Sequence, residues 1–130
     1  MKATELMIGD WVSVEDLIRC RVDKIFQDYV VCLDKRDNEI IGNIMPIPLT
    51  AEILEKNGFE QTGDSTFSIS DDGMRFNATW WRESLFYVGV YRRDNNSQNE
   101  HFSLNVRYVH ELQHILRLCG MNELADNFKI

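Results

Sequence analysis

The first 48 residues alternate between short apolar runs and turn signals. An alternating run, Trp11–Val14, follows the turn at Gly9-Asp10, and the most continuous apolar run covers Tyr29–Leu33. Pro46 and Pro48 cannot donate to a β-ladder, so they mark an edge or the end of this region. The spacing predicts four or five short strands that form a small curled sheet of the SH3-like barrel kind.

A short helix is predicted directly after these strands. Thr50 is a suitable N-cap, because its hydroxyl accepts a hydrogen bond from a free amide of the first turn. Glu52 suits the positive end of the helix dipole. The pair Asn57-Gly58 predicts a left-handed C-terminus, with Phe59 folding back as an apolar contact.

From residue 66 the apolar period changes to two, which is typical of antiparallel strands. Turns are predicted at residues 71–73 and 82–84, and a long polar loop at residues 92–100. One face of these strands is apolar: Phe67, Ile69, Met74, Phe76, Ala78, Trp80, Phe86, Val88, Val90, Phe102, Leu104 and Val106. The pattern predicts a four-stranded meander.

The opposite face of this meander is more aromatic than contact with water alone requires. It carries Arg75, Asn77, Trp81, Tyr87 and Tyr91. Either the N-terminal strands pack against it, or it is a surface that contacts a partner or ligand through aromatic area. Arg75, Trp81, Tyr87 and Tyr91 are therefore the candidate residues of a binding surface.

A C-terminal helix follows the meander. At about 100° per residue, one arc of the helical wheel contains its apolar side chains, namely Tyr108, Leu112, Ile115, Leu116 and Cys119. The arc opposite contains His110, Gln113, His114 and Arg117. We therefore expect the two histidines to face outward, more exposed than Leu112 and Leu116.

The same helix contains the pattern His-Glu-x-x-His, formed by His110, Glu111 and His114, which zinc peptidases place on a helix. A catalytic zinc needs three protein ligands in an enclosed site. Three residues could supply the third ligand, but none lies at a spacing that is diagnostic of a zinc site: His101, Glu123 and Asp126. A zinc-dependent hydrolase is therefore the alternative interpretation, and no catalytic residue or metal ligand is assigned.

The elements together predict an α+β protein with an N-terminal β subdomain at residues 1–48 and an α-ββββ-α subdomain at residues 49–130. Whether these two parts share one core is left open. A hydrophobic share of 44% with 27% charged residues is that of a folded globular chain. Cys20, Cys32 and Cys119 lack zinc-binding or disulfide spacing, which favours buried free thiols.

The net charge is −7, and both halves of the chain are acidic. Because nucleic-acid affinity depends on clustered cations that release counterions, this charge opposes nucleic-acid binding. A weaker possibility is binding through the basic residues of the first strands: Arg19, Arg21, Lys24, Lys35 and Arg36. The start of the chain leads to no apolar signal core, and no apolar run is long enough to span a membrane, which predicts a cytoplasmic protein.

Three segments carry a resemblance to a known family. They are residues 6–12 (LMIGDWV), residues 47–59 (IPLTAEILEKNGF) and residues 108–114 (YVHELQH) together with Gly120. The chain resembles a family of small proteins without an established activity, encoded in gut bacterial genomes and their phages or mobile elements. In that family the position of His114 is usually Asn, which implies that the zinc-like match is accidental and that only His110 belongs to the pattern.

The sequence therefore favours a non-enzymatic binding or accessory protein that needs no cofactor. We expect its partner to be a protein, because no catalytic signature is present and one sheet face is aromatic. The candidate binding residues are Arg75, Trp81, Tyr87 and Tyr91, and the oligomeric state stays open.

Overall fold

In a computed structural model, the chain forms two five-stranded antiparallel sheets and short helices. The structure describes residues 1–71, 73–83, 85–94 and 97–130. The predicted α+β class is confirmed.

The first sheet follows a single 3-10 turn at Ala3–Glu5. Its strands are β1 (Trp11–Val14), β2 (Ile18–Ile25), β3 (Val30–Leu33), β4 (Glu39–Ile40) and β5 (Ile44–Pro46). They lie in the order β4-β3-β2-β1-β5, with each neighbouring pair antiparallel. Within residues 1–71 the edge strands β4 and β5 do not pair with each other, so the sheet is open and a closed SH3-like barrel is not confirmed.

Helix α1 (Ala51–Lys56) has the termini that the sequence predicts. The Thr50 hydroxyl accepts from the backbone N–H of Ile53 at 3.2 Å. Gly58 has a left-handed φ of 88°. The Phe59 amide then donates to the Leu54 carbonyl at 3.1 Å, and the Phe59 side chain is buried.

The second sheet contains one strand more than the predicted meander. Its strands are β6 (Glu60–Gln61), β7 (Thr66–Asp71), β8 (Met74–Arg82), β9 (Leu85–Asp94) and β10 (Ser97–Val106), in the order β10-β9-β8-β7-β6. The polar loop predicted at residues 92–100 is wrong, because β9 and β10 pair as far as Asp94 and Ser97. Ladder hydrogen bonds join backbone groups, which polar residues supply as well as apolar ones. Residues 72 and 84, in two predicted turns, lie outside the described residues.

Helices α2 (Val109–Leu118) and α3 (Asn122–Asp126) pack against the inner face of the second sheet. Buried side chains of this core include Phe67, Phe76, Phe86, Leu112 and Leu116. Helix α3 was not predicted, because five residues are too few to show a helical period. Leu104, expected in the core, is 45% exposed, whereas Val106, further along the same edge strand β10, is buried.

The first sheet has a smaller apolar cluster of its own, which includes Val12, Val14, Val22, Cys20 and Cys32. All three cysteines are free; Cys20 and Cys32 are buried, as predicted, whereas Cys119 is only partly buried. The side chain of Trp11 leaves this cluster and packs against the core of the second sheet. The two sheets therefore have separate apolar clusters that meet at β1.

A buried glutamine joins the two halves. Gln113 of α2 is fully buried, and its Oε1 accepts from the Trp11 backbone N–H at 2.8 Å. Its Nε2 donates to the carbonyl oxygens of Gly9 and Ala125 at 3.0 Å each. The indole Nε1 of Trp11 donates to the Phe128 carbonyl at 2.6 Å. Residues 9–11, α2 and the C-terminal segment are thus held together by one hydrogen-bonded group.

We predict that Gln113→Leu lowers the free energy of unfolding by about 2–4 kcal/mol, because it leaves buried backbone groups without a partner, at about 1–3 kcal/mol each. Urea denaturation of both proteins measures the difference. Gln61→Leu is the control, since the exposed Gln61 amide bonds only to nearby turn carbonyls. A loss for Gln113→Leu no larger than for Gln61→Leu would contradict the assignment.

Candidate functional site

A tight turn before β1 directs a carboxylate toward α2. Gly9 has a left-handed φ of 92°, which favours glycine. A Cβ at this position would lie 3.0 Å from Arg117 Nη2, so the guanidinium would have to shift. The Met7 backbone N–H donates to Asp10 Oδ2 at 2.8 Å, which fixes the turn. Asp10 is fully buried.

The Asp10 carboxylate binds two side chains of α2. Arg117 Nη1 donates to Asp10 Oδ1 at 2.6 Å, and His114 Nε2 lies 2.6 Å from Asp10 Oδ2. Arg117 also approaches the exposed carboxylate of Asp126 at 3.5 Å. A buried carboxylate with three donors is compensated in charge and in hydrogen bonding, which is the condition for its burial.

His110 lies one turn before His114 and is 7% exposed. The two ring centroids are 5.6 Å apart in an edge-on arrangement. Its Nδ1 is buried and has no hydrogen-bond partner among the described residues. Burial lowers the pKa of His110 below its usual value, and the charges of Asp10 and Glu111 oppose this shift only partly.

The expectation that the polar side of α2 faces water is wrong. The predicted order of exposure is confirmed, since His110, at 7%, is more exposed than Leu112 and Leu116, at 0%. His110 is nevertheless a buried residue, and Gln113 is buried completely. His114 keeps a quarter of its side chain exposed. The reason is that the turn at Gly9 and strand β1 pack across this side of the helix.

Asp10 and Gln113 were not identified as site residues from the sequence, because their partners are about one hundred positions away. One feature of the sequence does indicate that this side of α2 is covered. It contains no lysine, the residue that most often covers an exposed helix face. Histidine, glutamine and arginine there are able to form directed bonds with a second layer of structure.

The groups of the zinc-like pattern are already engaged within the fold. Glu111 Oε1 accepts from the backbone N–H groups of Arg107 and Tyr108 at 3.0 Å each, which caps the start of α2. Nε2 of His114 is bound to Asp10. Among the described residues, no group of three His, Cys, Asp or Glu side chains is placed to hold a metal ion. The side chain of His101 lies outside the described residues.

Beside this network lies a cleft of about 750 Å³, which we call the histidine cleft. Its walls come from the N-terminal segment, β5 and the start of α2. They include Met1, Met7, Met45, His110 and His114.

A second cleft, of about 630 Å³, lies at one end of the outer face of the second sheet. Its walls are Thr79, Trp81, Arg82, Leu85, Tyr87 and Asn105, and we call it the aromatic groove. Trp81 is 68% and Tyr87 45% exposed. The β8–β9 register shifts between Trp80 and Arg82, so Trp81 sits in a β-bulge, an irregularity that redirects a side chain.

The other two candidate residues lie further along the same face. Arg75 Nε donates to Asn77 Oδ1 at 3.0 Å, and this amide oxygen also accepts from Ser68. The ring of Tyr91 lies over Gly89, where a Cβ would be 3.0 Å from it. The structure therefore brings Trp81 and Tyr87 into one groove and leaves Arg75 and Tyr91 outside it.

The first sheet does not shield the aromatic groove, since Trp81 and Tyr87 stay exposed and the contact between the halves runs through β1 and α2. Comparisons with protein-family models, curated proteins and solved structures gave no match to the chain. No helix among the described residues has the length and apolar character that crossing a membrane requires.

We predict that Asp10→Asn lowers the free energy of unfolding by about 3 kcal/mol or more, because it leaves the mostly buried Arg117 charge with only the exposed carboxylate of Asp126, 3.5 Å away. The matched control is Asp126→Asn, which removes the exposed partner of the same guanidinium and should cost no more than about 1 kcal/mol. Chemical denaturation compares the three proteins. Equal losses in the two variants would show that burial of Asp10 does not matter.

The contribution of His110 to stability should fall as the pH drops below about 6.5, the ordinary pKa of histidine. Because burial lowers the pKa of His110 in the folded state, the unfolded chain binds this proton first and is favoured as the pH falls. We predict that unfolding free energy decreases less between pH 7.5 and pH 5.5 in His110→Gln than in the unsubstituted protein. Both proteins retain His101 and His114, so the difference between their pH dependences reports on His110. An identical pH dependence of the two unfolding free energies would contradict the prediction.

Proposed function

We propose that this chain is a non-enzymatic binding protein that holds a segment of another protein in the aromatic groove. The observation that carries the proposal is the 68% exposed Trp81 beside the exposed ring of Tyr87. An indole of this size gains free energy when it leaves water, at roughly 25 cal/mol per Å² of apolar area. Nothing among the described residues covers it.

The residue types of the groove fit a protein partner. Tryptophan, tyrosine and arginine are enriched among residues that dominate binding energy at protein interfaces. Trp81, Arg82 and Tyr87 combine these types around one concave surface. Rigid rings lose little conformational entropy on binding, so they contribute contact area efficiently.

The groove also suggests the chemistry of the bound segment. Arg82 is exposed and forms no ion pair or hydrogen bond with a described residue, so its guanidinium is available to a carboxylate. Leu85, Trp81 and Tyr87 supply apolar wall area beside it. The matching segment carries an apolar side chain next to an acidic one.

We also propose, on the basis of the sequence, that the first sheet has SH3-like character, that the protein is cytoplasmic and that it is associated with phages or mobile elements. A zinc hydrolase is less well supported, because Glu111 caps α2 and no group of three His, Cys, Asp or Glu side chains among the described residues is placed to hold a metal ion. The Glu111 carboxylate would have to leave its backbone partners before it could act on a water molecule.

The test is capture of binding proteins from a bacterial lysate on immobilised protein, followed by affinity measurement with the captured partner. We expect Trp81→Ala with Tyr87→Ala to weaken binding at least tenfold, since hot-spot truncations typically cost more than about 2 kcal/mol. Tyr29→Ala is the matched control, because Tyr29 is also 45% exposed but lies in the first sheet region. Unchanged affinity in the double variant, with both variants folded, would remove the groove from the binding account.

A further inference from the structure

The methionines of this chain are unevenly distributed. Three of the five, Met1, Met7 and Met45, line the histidine cleft, and each is more than a third exposed. Met121 is buried and Met74 is partly buried, as is usual for a side chain that fills a core. Core packing does not explain why three thioethers are exposed around one cleft, because an exposed Met side chain gains no free energy from burial of its apolar surface.

Two imidazoles reach the same cleft. His110 is more than nine-tenths buried, and neither of its ring nitrogens has a hydrogen bond to a described residue. An unpaired buried polar atom costs about 1–3 kcal/mol, and His110 Nδ1 is such an atom, so a ligand that bonds to Nδ1 would offset a penalty already present in the fold.

His114 is oriented by a carboxylate. The contact of its Nε2 with Asp10 Oδ2 places the ring proton on Nε2, which leaves the lone pair of the neutral imidazole on Nδ1. A carboxylate behind a histidine is the usual arrangement behind metal-binding imidazoles, because it fixes the tautomer and raises the basicity of the ring.

We propose that the histidine cleft binds a soft monovalent metal ion of the Cu(I) class through the thioethers of Met7 and Met45 and the imidazoles of His110 and His114. Thioether sulfur is a soft ligand that selects Cu(I) over hard cations, and imidazole also suits copper. Met1 is a further thioether at the same cleft. Glu111 is not a ligand, since it caps α2. This proposal is independent of the aromatic groove.

The surrounding charges and contacts permit a cation here. The Arg117 guanidinium is neutralised by Asp10 and Asp126. Two weak contacts to sulfur would be displaced: Arg117 Nη1 to Met7 Sδ at 3.7 Å, and Asn43 Nδ2 to Met45 Sδ at 3.9 Å. Contacts of this kind are weak, so their loss opposes metal binding little.

The test uses Ag(I), a redox-inert stand-in for Cu(I), and protein labelled with ¹³C at the methionine methyl groups. We expect the methyl resonances of Met7 and Met45 to shift on titration, while those of Met74 and Met121 stay in place. The methyl shifts distinguish Ag(I) bound in the histidine cleft from Ag(I) bound to a cysteine thiol. Cys20 and Cys32 lie in the apolar cluster of the first sheet. Burial raises the pKa of the Cys119 thiol, which disfavours the thiolate that binds metal.

Variants test the individual ligands. Met7→Leu with Met45→Leu keeps apolar volume but removes both thioethers, and should weaken Ag(I) binding at the cleft at least tenfold. His110→Gln should weaken it similarly, while Met74→Leu, the matched control, leaves it unchanged. Zn(II) should shift the methyl resonances of Met7 and Met45 less than Ag(I) does at the same concentration, because thioether sulfur is a poor ligand for Zn(II). Either of two results would overturn the proposal. In the first, the methyl resonances of Met7 and Met45 do not shift when Ag(I) is in molar excess over the three thiols. In the second, the folded double leucine variant binds Ag(I) as tightly as the unsubstituted protein.

Discussion

The buried contact between the turn at Gly9-Asp10 and helix α2 is the interaction on which the rest of this structure depends. Each sheet has its own apolar cluster, and among the described strand residues of the first sheet Trp11 packs against the core of the second. What fixes the halves relative to each other is polar: Asp10 with Arg117 and His114, and Gln113 with the backbone of Gly9 and Trp11. Directed bonds of this kind specify one orientation, whereas apolar area alone tolerates several.

This polar contact explains why the sequence predicts one side of α2 correctly and the other wrongly. The apolar period places Leu112 and Leu116 in the core, and both are fully buried. The same helical wheel predicts that the opposite side faces water. Hydropathy separates apolar from polar side chains, but it does not separate a solvated polar side chain from one that is hydrogen-bonded inside the protein. Gln113 is polar and fully buried because each polar atom of its amide has a backbone partner.

Local rules predicted the elements well, and long-range pairing accounts for the differences. The cap at Thr50, the left-handed Gly58 and the fold-back of Phe59 depend on neighbours within a few residues, and all three are observed. Strand β6, the open edge between β4 and β5, and the contacts of Asp10 depend on residues far away in the chain. The alternation along β8 was enough to predict that Trp81 lies on the outer face of the sheet. The β-bulge at Trp81 was not predictable in this way, because it depends on the pairing of β8 with β9.

The zinc-like pattern shows how one set of residues serves different purposes in different surroundings. In a zinc peptidase the glutamate must be free to act on water, but here its carboxylate accepts from the backbone amides of Tyr108, the N-cap of α2, and of Arg107, which precedes it. The histidines, one turn apart, face a second layer of structure rather than an enclosed metal site. Once His114 Nε2 is bound to Asp10, its remaining nitrogen is oriented from behind by a buried carboxylate. Ligand selection then depends on what else lines the cleft, and its neighbours there include three exposed thioethers. The chemistry of this helix is therefore determined by the segments packed against it rather than by its own motif.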